Sequence, residues 1–172
     1  MTTAREYLAP LITAYHTALA GLPVAQQAAV QCSIGIEVSD SHERWQLTAD
    51  GAEVTVTEGI AEVVDFRVYA NKARIEQFIN DNGISFLLRP ITTGRIVPFK
   101  ALRGTLRLAL TEGDEYKIVF GGAAAPEAIM RMKQQDAIGL LTGTLNAQAA
   151  VFSGRIRIDG GMSFLMSLER FV

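Results

Sequence analysis

The stretch Ala149 to Phe171, AAVFSGRIRIDGGMSFLMSLERF, decides how this chain is read. From Phe152 to Ile158 apolar and polar residues alternate, with Phe152, Gly154, Ile156 and Ile158 on one face. Such a period of two is that of a strand with one buried side. After Gly160-Gly161 the spacing changes, and Met162 to Phe171 reads as an apolar helix. The chain is therefore expected to end as strand, glycine turn and helix, in a stretch that holds no obvious catalytic group.

Working backward, the same two periods recur. AREYLAPLITAYHTALAGLP places Leu8, Leu11, Ile12, Tyr15, Leu19 and Leu22 at helical steps, with a start or kink expected near Pro10. QCSIGIEV, RWQLTA, EVTVTE and VVDFRVY alternate as strands, the second and third joined at Asp50-Gly51, and are expected to form an antiparallel meander. Asn71 is the expected N-cap of a helix carrying Ile75, Phe78 and Ile79, closing near Asn82-Gly83. Residues 84–102, with Pro90, Gly94 and Pro98, read as an irregular connection with short helical turns. GTLRLAL and EYKIVF form a hairpin, PEAIMRMKQQ is expected to be a helix opened by Pro126, and DAIGLLTG is expected to be another.

The chain has 172 residues, which fits one domain, and is expected to be a single domain over residues 1–172. Its apolar share is 49%, rising to about 55% when Gly is counted and Tyr is not, above the usual roughly 45–50%. Two readings of the excess stay open: it lines a cavity, or it is alanine in tight packing. The net charge of −2 and the lack of a Lys/Arg cluster argue against nucleic acid as a partner. No apolar run of membrane-spanning length and no secretory pattern is found, and the single Cys32 fits a reducing compartment, so cytoplasm is the expected location.

Chemistry is sparse. His16, His42 and Cys32 stand at no metal-ligand spacing, so no metal and no cofactor are expected. There is no Gly-x-Ser-x-Gly elbow, and Cys32 occupies an inward strand position. GGAAAPE lacks the Lys-Ser/Thr of a phosphate loop and the third glycine of a dinucleotide fingerprint. Arg155 and Arg157 alternate with Ile156 and Ile158 and so face away from the apolar side; a solvated face and a contact with phospholipid head groups or a partner are both open.

The tail LLTGTLNAQAAVFSGRIRIDGGMSFLMSLERF resembles the closing signature of the sterol carrier protein-2 (SCP-2) family. The residues that carry the resemblance are Gly143, Asn146, Gln148, Phe152, Ser153, Gly154, Ile156, Ile158, Gly160 or Gly161, and Met162. RWQLTADGAEVTVTEGIAEVVDFRVYANKARIEQFI is similar to the family's hairpin, its strand near an Asp (Asp65) and the following helix. Between these parts, residues 81–136 read as an insertion of about 55 residues carrying the extra hairpin.

The resemblance implies a fold of class α/β, α+β type, with a mainly antiparallel sheet of about 5–7 strands covered by helices. It also implies an apolar tunnel for a lipid or other hydrophobic small molecule, bound without catalysis by a carrier or accessory module. The expected lining is Phe78, Leu140, Leu141, Phe152, Met162, Leu165 and Met166; in the last helix Phe164 and Leu168 share the composition. Transient membrane contact and a homodimer are further expectations. The alternative is an interaction domain of the same fold with a filled pocket, docking a partner through the added edge. The closing residues Glu169-Arg170-Phe171-Val172 do not spell the Ser-Lys-Leu peroxisomal address familiar from eukaryotic relatives, so a peroxisomal assignment is unsupported.

Overall fold

A computed structural model describes residues 3–81 and 83–171; Asn82, expected at a helix end, and Val172 lie outside the described residues. In chain order the elements are α1 (Ala4–Tyr7), α2 (Ala9–Ala20), α3 (Val24–Gln27), β1 (Gln31–Val38), β2 (Arg44–Asp50), β3 (Glu53–Glu58), β4 (Phe66–Ala70) and α4 (Lys72–Asn80). They continue with α5 (Ser85–Thr92), α6 (Ile96–Lys100), β5 (Gly104–Leu110), β6 (Glu115–Phe120), β7 (Glu127–Met132), α7 (Gln134–Thr142), α8 (Ala147–Phe152), β8 (Arg157–Asp159) and α9 (Met162–Glu169).

All eight strands join one mixed sheet, in the order β3-β2-β1-β4-β6-β5-β7-β8. The class is α+β, with one strand more than the upper expectation. The expected meander is corrected at β4, which pairs in parallel with β1 (Ile34↔Phe66 to Val38↔Ala70) rather than returning beside β3. Asp65 fixes this pairing: its carboxylate accepts the Ser33 N–H at 2.8 Å and the Ser33 hydroxyl at 3.1 Å, while its own N–H donates to that hydroxyl at 3.0 Å. The two strand starts are thereby clamped together.

The local signals at the N-terminus hold. Pro10 falls in the first turn of α2, where its missing donor is harmless, so the helical stretch breaks at Leu8 and restarts. Asn71 caps α4 by accepting the Arg74 N–H at 3.0 Å. Residues 84–102 are more ordered than expected, forming α5 and α6; Phe86, Leu87, Leu88 and Ile91 are buried, and tertiary burial rather than propensity holds this helix.

Two expectations fail near the C-terminus. PEAIMRMKQQ is not a helix: Glu127–Met132 forms β7, parallel to β5 in the register Thr105↔Glu127 to Leu110↔Met132. Its period is two, with Ala128, Met130 and Met132 buried and Glu127 and Arg131 exposed. Phe152 and Gly154 are not in a strand. Residues 147–152 form α8, because the Asn146 side chain accepts the Ala149 N–H at 2.9 Å at its start. At its end Gly154, at φ +74°, donates to Val151 at 3.0 Å while the Arg155 N–H reaches the Ala150 carbonyl at 2.9 Å. That pair of bonds is a Schellman closure, which only a residue tolerant of positive φ makes cheaply. The last strand shrinks to Arg157–Asp159.

The inward residues of the sheet form one continuous apolar core with the helices, while positions such as Gln46, Arg107 and Lys117 point to the other, wetter face. No helix among the described residues is long and apolar enough to cross a membrane.

Candidate functional site

Gly161 sets the position of the last helix. It begins α9 at φ +67°, and a Cβ there would lie 2.5 Å from the Glu127 carbonyl oxygen and 2.6 Å from the Ala128 Cα. Only a glycine lets the turn come this close to β7, and α9 is thereby laid over the sheet. Phe164, from the inner face of α9, then packs edge-on against Phe120 at 5.7 Å between ring centroids.

On the neighbouring face of α9, Met162, Leu165, Met166 and Glu169 recur at steps of three and four, and they look into a cleft of about 450 Å³. That size lies within the roughly 300–1,000 Å³ typical of small-molecule sites. Its floor is Leu106 and Leu108 of β5, Met130 of β7 and Ile158 of β8; Phe86 of α5 closes one end. Leu140 and Leu141 of α7 form one wall, and Ala147, Gln148, Val151 and Phe152 of α8 another. The polar side chains of the lining are Gln148 and Glu169, and they are joined, Gln148 Nε2 donating to Glu169 Oε1 at 2.7 Å. This bond ties α8 to α9 across the mouth.

The mouth is unusual for a water-facing surface. Phe152 is 91% exposed, Met166 62% and Met162 53%; with Val24, Val63 and Val97 elsewhere they are the large apolar side chains most open to solvent among the described residues. Three such residues on one rim make an apolar patch rather than the scattered single exposures that most surfaces carry.

Of the seven side chains expected to line a site, six come together here: Leu140, Leu141, Phe152, Met162, Leu165 and Met166. Phe78 does not. It is buried on the inner face of α4, with its ring 6.4 Å from that of Tyr116, and belongs to the packed core. Sequence reasoning missed Leu106, Leu108, Met130 and Val151 as lining. The first two were visible as the inward face of a strand; Met130 was hidden by the helix expected over it, and Val151 by the strand expected in place of α8.

A larger hollow, about 850 Å³, runs between α2 and α5, but it is an open groove walled mostly by small side chains such as Ala9, Ala14, Thr13 and Thr17, with Leu88 as the large aliphatic side chain of its lining. The ionisable side chain of the described cleft lining is Glu169, which is held by Gln148. Burial, reinforced by the Asp65 charge, pushes the Cys32 thiol up to about 12, and burial pushes the Tyr15 hydroxyl, which donates to the Gly51 carbonyl at 2.6 Å, up to about 12 as well. Both lie in the core beside β1 and β2. Among the described residues no three His, Cys, Asp or Glu side chains gather as metal ligands.

Residues 92–172 match the model of the SCP-2 sterol transfer family. All of the cleft lining except Phe86 falls inside this match. So do residues 92–136 of the segment read as an insertion, which supply β5, β6 and β7, three interior strands rather than an appended edge. No curated protein matches the chain. Among solved structures it is similar to a double mutant of the sec-alkyl sulfatase PisA1, at 10% identity and a TM-score of 0.31 over 99% of this chain and 16% of that one. It is also similar to the stereoselective inverting sec-alkylsulfatase Pisa1 from Pseudomonas sp., at 11% identity and a TM-score of 0.29 over 92% of this chain and 15% of that one. The chain thus spans about a sixth of the length of those proteins.

Proposed function

We propose, from the match of residues 92–172 to the model of the SCP-2 sterol transfer family, that this protein binds a lipid or other hydrophobic small molecule, without catalysis, in the cleft between β5, β7 and β8 and the helices α7, α8 and α9. The observation that carries the reading is the cleft itself: about 450 Å³ lined almost wholly by apolar side chains, opening through Phe152, Met162 and Met166. Burying a hydrocarbon there releases about 25 cal/mol for each Å² of apolar surface taken from water and requires no reactive group. Methionines lining such a site, here Met130, Met162 and Met166, adapt to ligands of different shape.

The alternative interaction domain needs a filled pocket, and the unfilled cleft favours the carrier. We also assign the expected transient membrane contact to the exposed rim, through which a lipid would enter. The test is titration with a fluorescent fatty acid. Saturable binding at one site per chain is expected, weakened at least tenfold by Met166→Arg, a change at an exposed rim position that leaves the fold intact. Absence of saturable binding, or binding indifferent to that substitution, overturns the assignment.

A further inference from the structure

The cleft has a shallow end and a deep one. At its mouth Phe152, Met166 and Met162 stand open to solvent, while along the floor Leu106 and Leu108 are 3% and 1% exposed, and Phe86, at the closed end, is 5% exposed. A hydrocarbon chain entering from the rim therefore advances towards Phe86. Phe86 is also the lining side chain supplied by α5; the others come from β5, β7, β8, α7, α8 and α9. It lies outside residues 92–172, so what ends the cleft is a feature of this chain that the family match does not cover.

The ring at that end has little freedom. Phe99 and Phe120 meet it edge-on, each at 6.5 Å between centroids, with the planes at 74° and 69°. Neither lines the cleft, both are fully buried, and Phe120 is backed in turn by Phe164 at 5.7 Å. A ring so enclosed cannot turn aside without opening a void in a close-packed interior. Nor can the backbone that carries it withdraw: Leu87, Leu88 and Ile91 of the same helix are buried, and α5 packs against both α2 and α7. The mouth is different, because Met162 and Met166 are exposed and unbranched and take the shape of what enters. The cleft adapts at its entrance and is fixed at its end.

We infer that Phe86 is the specificity-determining residue of the site, a rigid stop that sets the length of hydrocarbon chain the cleft takes up. This rests on the cleft being a chain-binding site. Each methylene added to a chain gains affinity as long as it passes from water into the cleft. Once the chain end meets the ring, a further methylene has to stay in water at the mouth or force the packing, and gains nothing.

Displacement of a fluorescent fatty acid by the straight-chain acids from hexanoate to hexadecanoate, on the whole chain and below their micellar concentrations, reads this directly, because the series shares one head group. In the wild type, affinity is expected to rise about fourfold per methylene up to a certain member and to level off beyond it. In Phe86→Ala the break moves to a longer member, while acids shorter than the wild-type break bind as before. Phe86→Leu, which keeps a large apolar side chain and so protects the fold, moves the break in the same direction and gives the reading should the alanine variant not fold. Phe99→Leu loosens the same aromatic group without touching the lining and leaves the break in place. Three results overturn the stop and leave the cleft as a chain site: an affinity that climbs through the series without a break, a break that stays put in the Phe86 variants, or one that Phe99→Leu moves as far as Phe86→Leu does. If neither the probe nor any acid binds, the cleft assignment itself falls, and the stop with it.

Discussion

The sheet is covered by helices at both ends, yet the two ends are packed differently. Around β4 and β6 the space is filled by aromatic rings: Phe66, Phe99 and Phe120 stand 4.9–5.8 Å apart in pairs, and Phe86 reaches both Phe99 and Phe120 at 6.5 Å. Around β7 and β8 the helices carry Leu, Met and Ala, and they leave a cleft between themselves and the sheet. Phe86 belongs to both regions, ending the filled one and closing the open one. The difference teaches that the cleft is not a general looseness of the fold: the same sheet supports close packing one strand away.

Truncation in the filled region should have the largest effect. Phe120 is fully buried and touches four aromatic partners, so Phe120→Ala should lower unfolding free energy by about 3–5 kcal/mol in a urea titration. A loss below about 1 kcal/mol would mean the region is as plastic as the cleft. In the open region, filling should do the reverse. Leu140→Phe, at a half-buried wall position, should reduce fatty-acid affinity several-fold while changing stability by less than about 1 kcal/mol. A large loss of stability there would show the cleft already packed.

Alkaline titration sharpens the contrast from the core side. Cys32 and Tyr15 have folded-state values pushed up to about 12, from ordinary values of 9.0 and 10.0, by burial near β1 and β2. A raised value means the unfolded chain releases these protons first. Stability is therefore fully present below pH 9 and falls as pH rises from 9 towards 12. A thermal midpoint independent of pH across that window would contradict the burial of both groups. The smallest effect is expected at the mouth: Gln148→Ala removes an exposed side-chain hydrogen bond to Glu169 and should cost no more than about 0.5 kcal/mol of stability. Its signature should be kinetic, a faster release of bound fatty acid in stopped-flow displacement.

The legible parts of the fold were those with a local cause. The strand alternation of β1, β2 and β3, the Asn71 cap and the break before Pro10 are each specified within a few residues. β7 was not legible as a strand because Pro126 at its head looks like a helix start; the deciding fact is distant, the free edge of β5. α8 was misread because Phe152 and Gly154 continue the alternation of Ile156 and Ile158 by chance, whereas the Asn146 cap and the Gly154 closure bound a helix. Six of the expected lining residues nevertheless meet in one cleft, since α7 and α9 were read correctly as helices; Phe78 does not, because helical spacing marks a buried face without saying which surface it is buried against.

The most direct test of the central claim is native mass spectrometry of the purified protein, followed by solvent extraction and identification of what is released. A cleft that holds a hydrophobic ligand predicts a stoichiometric adduct that is lost on denaturation and recovered in the organic phase. A bare chain that also fails to bind a fluorescent fatty acid would contradict the account and leave the apolar rim as a surface for docking a partner.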